Sequence, residues 1–167
     1  MTDVLEKHVL EQVRPEHVFA AYEKVGDLIE KACDFSGQRF SPETVALACS
    51  GQHPKLNWQM WLVFDPNAKY ETFGQSVKAM AVTSLAQYPT GLLVGEVILI
   101  AGRGQSSEWL QYVDDLKNWA RANGADRLQF IGRRGFQRIL GSDWKAAATM
   151  YEFDLNGAEH GRVEQRH

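Results

Sequence analysis

Residues 92–135 read LLVGEVILIAGRGQSSEWLQYVDDLKNWARANGADRLQFIGRRG, and their order decides the fold. The run 92–101 is apolar at almost every position, so both of its faces meet protein and it belongs in the middle of a sheet. Gly102 and Gly104, with Arg103 between them, end that strand. Ser106 or Ser107 can cap the next helix, whose Trp109, Val113, Leu116 and Ala120 form one apolar stripe while Asp114, Asp115, Lys117 and Asn118 face water. Asn123-Gly124 closes it, glycine supplying the left-handed backbone of a helix end. Residues 128–131 are a second buried strand, and a crossover helix between two strands of one sheet makes them parallel.

Upstream, residues 10–13 read as a short strand that Pro15 ends, opening a helix whose Val18, Tyr22, Val25, Ile29 and Ala32 recur at three- and four-residue spacing. Ser41-Pro42-Glu43 starts a shorter helix, with a capping side chain, proline in the first turn and an acid at the positive end of the dipole. After Pro54 the period changes to two: Trp58, Met60, Leu62 and Phe64 alternate with Gln59, Trp61 and Val63 in a strand. Residues 77–85 form another strand, and Tyr88-Pro89-Thr90-Gly91 turns the chain into 92–101, so these three strands run antiparallel. Downstream, 135–140 reads as a short helix and 149–155 as a closing strand, with Thr149, Tyr151, Phe153 and Leu155 alternating with Met150, Glu152 and Asp154. The reading is one domain over 1–155, of α/β class, and a polar, flexible tail over 156–167.

The 167 residues are 44% hydrophobic and 23% charged, enough for a single real core. A net charge of -3 gives no global attraction to nucleic acid or an anionic surface. The longest apolar stretch, 97–101, is too short to span a bilayer, so no membrane insertion is expected. The opening residues lack the basic end and apolar run of a signal peptide, which points to synthesis in the cytoplasm. Cys33 and Cys49 make no CxxC pair and read as core thiols; with His53 they are poorly spaced for a metal, and no metal site is expected.

The element order over residues 10–155, with its Val13-Arg14-Pro15 opening, resembles the GNAT superfamily of acyl-CoA N-acyltransferases. The closing segment FIGRRGFQRIL (130–140), followed by Asp143-Trp144-Lys145 and the last strand, is similar to small GNAT-like proteins of tailed bacteriophages. The first resemblance implies a mixed sheet in the order β-α-α-β-β-β-α-β-α-β with helices on both faces. It implies acetyl-CoA as cofactor, held by Ile100, Ala101, Gly102, Arg103, Gly104 and Ser106, because free backbone N–H groups and a helix dipole favour its pyrophosphate. It also implies a base, commonly a glutamate on the central strands, and an acid for the departing thiolate, commonly a tyrosine on the last helix. Glu96 is the candidate base, since a carboxyl within an apolar run is partly desolvated and so a better proton acceptor. The alternative for Glu96 is a structural one, facing the open side of the sheet or pairing with an arginine such as Arg103.

Two departures stand out. Leu99 lies three residues before Gly102, where the family has Gln or Arg, and no tyrosine lies between Arg134 and Trp144. Together with the phage resemblance they imply a degenerate acyl-CoA site, without cofactor, in a virion structural or assembly component. Its partners would be other virion or phage proteins or further copies of itself, and its location the host cytoplasm or the particle. Trp61, Trp144 and the chain beyond Asn156 would be contact surfaces. The rival reading is an active acetyl-CoA-dependent N-acetyltransferase acting on an amine acceptor; a third is a small inhibitor of a host protein. Arg133, Arg134 and Arg138, with Arg127, concentrate positive charge that suits an anion or an acidic partner, although a solvated basic face is the commoner meaning of such a cluster.

Overall fold

The sheet follows chain order. In the computed structural model, which describes residues 8–104, 110–131, 138 and 140–156, five strands lie side by side as β1 (Val9–Gln12), β2 (Gln59–Phe64), β3 (Ala79–Gln87), β4 (Leu93–Gly102) and β5 (Arg127–Phe130). The first three pairings are antiparallel and β4 pairs with β5 in parallel, as the crossover helix between them requires. The helices are α1 (Val18–Phe35), α2 (Pro42–Ser50), the single turn α3 (Phe73–Ser76) and α4 (Val113–Ala122). The chain divides into two compact units, residues 1–133 and 134–167, and the strands β1–β5 and helices α1–α4 belong to the first.

Local signals account for most of these boundaries. Ser41 Oγ accepts the Thr44 N–H at 3.2 Å at the start of α2, and Gly51 closes that helix with φ of 79°. α1 buries Val18, Ala21, Val25, Leu28, Ile29, Ala32 and Cys33, but its backbone leaves helical geometry at Val25, so two helical halves meet across a kink. α3 is held by Phe73 against Phe64, with ring centroids 5.3 Å apart.

Two apolar clusters sandwich the sheet. One joins Met60, Leu62, Met80, Val82, Leu99 and Ala101 to α1 and α2; the other joins Trp61, Ala81 and Val97 to Leu116 of α4, with Ile100, Trp119, Leu128 and Phe130 packed on it. Helices therefore lie on both faces, as expected. Gly95 lets α4 come down onto β4: a Cβ there would sit 3.2 Å from both the Ala120 Cβ and the Trp119 ring. Trp61 is 8% exposed, meets Trp119 edge to face and donates its Nε1–H to the buried Thr83 hydroxyl at 2.8 Å. That corrects its expected role: it packs in the core and offers no contact surface.

The closing strand also needs correction. Residues 149–155 carry the expected alternation, yet they form no strand, and Tyr151, Phe153 and Leu155 are 90%, 86% and 87% exposed. An extended segment gains its stability from a ladder partner, and no other strand lies among the described residues of 134–167. Of the helix expected over 135–140, only Arg138 and Leu140 are described, and both are helical.

Candidate functional site at the end of β4

β4 outruns its parallel neighbour. The β4·β5 ladder ends at Val97 paired with Phe130, whereas β3 stays paired with β4 as far as Gly102. The Arg103 N–H donates to the Lys78 carbonyl at 2.8 Å. In an antiparallel ladder the direction of the backbone groups alternates, so Leu99 and Ala101 also turn theirs toward β3 while Ile100 and Gly102 turn theirs away. The Gly102 carbonyl fits this pattern, accepting Lys31 Nζ of α1 at 2.6 Å. Among the described residues, no strand meets Ile100 or Gly102 on the β5 side.

One extra residue shapes the middle of this strand. Val82 pairs with Leu99 but Thr83 pairs with Val97, so Ile98 is inserted as a β-bulge. Ile98 and Leu99 consequently both lie against the α1 and α2 cluster, although they are adjacent in sequence. The bulge falls where the β5 ladder stops.

Arg103 has an occupation that its place between two glycines did not suggest. Its Nε and Nη2 fork onto the Asp27 carboxylate at 3.2 and 2.7 Å, and its Nη1 donates to the carbonyls of Gly74 and of Val77, the latter at 2.9 Å. The guanidinium thus ties α1, the α3 turn and the start of β3 to the end of β4. Hydrogen bonding from Arg103 holds the Asp27 carboxyl below the usual carboxylate range against the opposing push of burial, with the Arg103 charge adding a lesser pull in the same direction as the hydrogen bond.

Glu96 is half-buried and lies two residues before the bulge, paired across the sheet with Ser84 of β3 and Gln129 of β5. Its Oε1 accepts a hydrogen bond from the Tyr88 hydroxyl at 3.3 Å, so the arginine pairing held open for it goes to Asp27 instead. Tyr88 heads the β3–β4 turn: its N–H donates to Leu92 O and its carbonyl accepts the Gly91 N–H, both at 2.9 Å, with Gly91 at φ of 87°. The sequence reading missed this tyrosine because it sought one only near the last helix. The signal was present in the hairpin register, which places Tyr88, Ala86 and Ser84 on the same face as Glu96, with small Ala86 leaving room for the ring.

The other candidates are dispersed. Ser106, Arg133 and Arg134 lie outside the described residues. Arg127 is exposed on β5, and Arg138 is exposed in the second unit. Cys33 and Cys49 are buried, and burial pushes the Cys49 thiol up to about 12. His53 Nδ1 accepts the N–H groups of Lys55 and Leu56, which makes it a loop-ordering side chain. Among the described residues no helix is long and apolar enough to cross a membrane.

No family model matches the sequence, and neither does any curated protein. Solved structures do. An aminoglycoside acetyltransferase from an uncultured soil metagenomic sample superposes with a TM-score of 0.63 at 8% identity, covering 92% of this chain and 99% of the other. A predicted acetyltransferase from Clostridium acetobutylicum, solved with acetyl-CoA, gives 0.59 at 11% identity, over 92% and 99% of the two chains. An acetyltransferase of Trypanosoma brucei gives 0.56 at 13% identity, over 89% and 100%. The chain therefore has the fold of the GNAT acetyltransferases.

Proposed function

We propose that this protein is an acetyl-CoA-dependent N-acyltransferase acting on an amine. The observation that carries the reading is the coincidence of the Ile98 bulge with the end of the β4·β5 ladder, which turns the backbone groups of Ile100 and Gly102 toward a side without a partner strand among the described residues. The pantetheine arm of CoA is an extended chain with two amides, and an extended chain pairs with a strand edge through main-chain hydrogen bonds. Ile100, Ala101 and Gly102 would line that arm. Gly104 would face the pyrophosphate, where backbone N–H groups suit an anion.

Within this reading Glu96 is the base. The amine attacks the thioester carbonyl, a C–N bond forms and the C–S bond breaks, and the thiolate leaves with the electron pair. Glu96 takes the proton lost by the nitrogen, through one water. Thiolate is a good enough leaving group for solvent to supply its proton. Titrating the protein with acetyl-CoA by calorimetry tests the reading: binding at micromolar to submillimolar ligand is expected, and no heat at millimolar ligand removes it.

The binding of the Arg103 guanidinium to Asp27, Gly74 and Val77 supports a second reading in which the acyl-CoA site has eroded, and in it a virion or assembly role rests on the resemblance of residues 130–145 to phage proteins alone. In that case acetyl-CoA gives no heat, and the protein is found by mass spectrometry in purified particles.

A further inference from the structure

We infer that Tyr88 is a positioning residue that sets the carboxylate of Glu96 for proton transfer, an inference that rests on the acyltransferase reading above. A glutamate side chain has three rotatable bonds, and leaving it free spreads the carboxylate over many positions. Here the Tyr88 hydroxyl donates to Oε1 at 3.3 Å, which leaves Oε2 as the oxygen open to a water or an amine.

The geometry that makes this contact is built into the hairpin. Tyr88 pairs with Leu92 through its N–H, Ala86 with Val94 and Ser84 with Glu96, so the ring runs along the sheet over one small rung before meeting the carboxylate. The turn fixes the ring at its base through two backbone hydrogen bonds of 2.9 Å. Glu96 in turn is anchored in a strand paired on both sides, with Ser84 and with Gln129. Both ends of the hydrogen bond therefore hang from paired backbone, the arrangement that preorganises a reacting group at little cost when the reaction occurs.

The test is a double-mutant cycle on Tyr88→Phe and Glu96→Gln in the full chain. Its readout is release of CoA thiol from acetyl-CoA in buffer alone, where Glu96 would activate water and no acceptor need be known. Acetyl-CoA affinity is measured in parallel by calorimetry. Glu96→Gln is expected to lower kcat by about a hundredfold. Tyr88→Phe is expected to lower kcat by about three- to tenfold with acetyl-CoA affinity unchanged. In the Glu96→Gln background, Tyr88→Phe should then have no further effect, because it acts only through that carboxylate. Additive losses in the double variant, or a neutral Tyr88→Phe, overturn this inference and leave the acyltransferase reading standing. A wild-type protein that neither binds nor cleaves acetyl-CoA overturns both.

Discussion

Replacing Arg103 with alanine separates a structural guanidinium from a ligand-binding one. The side chain serves three elements, and the cost of losing it can be built from them. Its ion pair with Asp27 involves a carboxylate whose side chain is 64% exposed, so solvent screening limits that part to about 0.5–1 kcal/mol. The carbonyls of Gly74 and Val77 lose a charged donor; with water able to replace part of it, about 1 kcal/mol each is reasonable. Arg103→Ala should therefore cost about 2–3 kcal/mol, a fall in Tm of about 5–10 °C for a chain of this size. Asp27→Asn should cost only about 0.5–1 kcal/mol, because Arg103 keeps both carbonyls.

Urea unfolding of the two variants and the wild type at neutral pH gives the ordering. A pH series adds a check of sign. The Asp27 carboxyl is held below its ordinary value, so its contribution is present above the unfolded-state value and is lost as pH falls through the folded one. The stability gap between wild type and Asp27→Asn should thus close in acid, below about pH 4. Equal losses for the two variants would refute the assignment of most of the energy to the carbonyls. An Arg103→Ala protein of wild-type stability with acetyl-CoA affinity reduced by tenfold or more would refute the structural role altogether.

Two further predictions concern the core. Cys49 should resist iodoacetamide at pH 8 in the folded protein and react on unfolding, as peptide mass spectrometry would read; because its folded value is about 12, it also contributes stability that is lost as pH rises above about 9, the unfolded thiols ionising first. Rapid labelling of native Cys49 would contradict its burial. Gly95→Val should destabilise by about 1–3 kcal/mol in urea, since an added Cβ alone would stand 3.2 Å from Ala120 and Trp119 and the branched side chain must push α4 from the sheet; an unchanged midpoint would mean that α4 packs elsewhere.

Much of the fold could be read in the sequence because its signals are local. The period-two run around Met60, the Ser41-Pro42 start, the Tyr88 turn and the glycine-closed helix at Gly124 each name an element without knowledge of its neighbours. What failed was pairing at a distance. Residues 149–155 have the alternation of a strand, but alternation describes side chains and says nothing of whether another backbone lies alongside. The candidate site divides in the same way. Glu96 and Gly102 could be placed from the apolar run that holds them, whereas the destination of the Arg103 side chain depends on Asp27, 76 residues earlier, and no spacing rule links the two. Trp61 misled because an aromatic in a strand looks alike whether it meets α4 or solvent; its indole bond to Thr83 exists only in the folded sheet.

The inserted Ile98 also sets the parity of everything after it. Up to Glu96 the even-numbered side chains of β4 face α1; from Leu99 on it is the odd-numbered ones, and Arg103 is odd. Removing that single residue would keep each letter of the glycine-arginine-glycine end and yet rotate the guanidinium to the opposite side of the sheet, leaving Asp27 alone. For any two chains of this shape, the number of residues between the acid and the first glycine carries information that the identities of those residues do not.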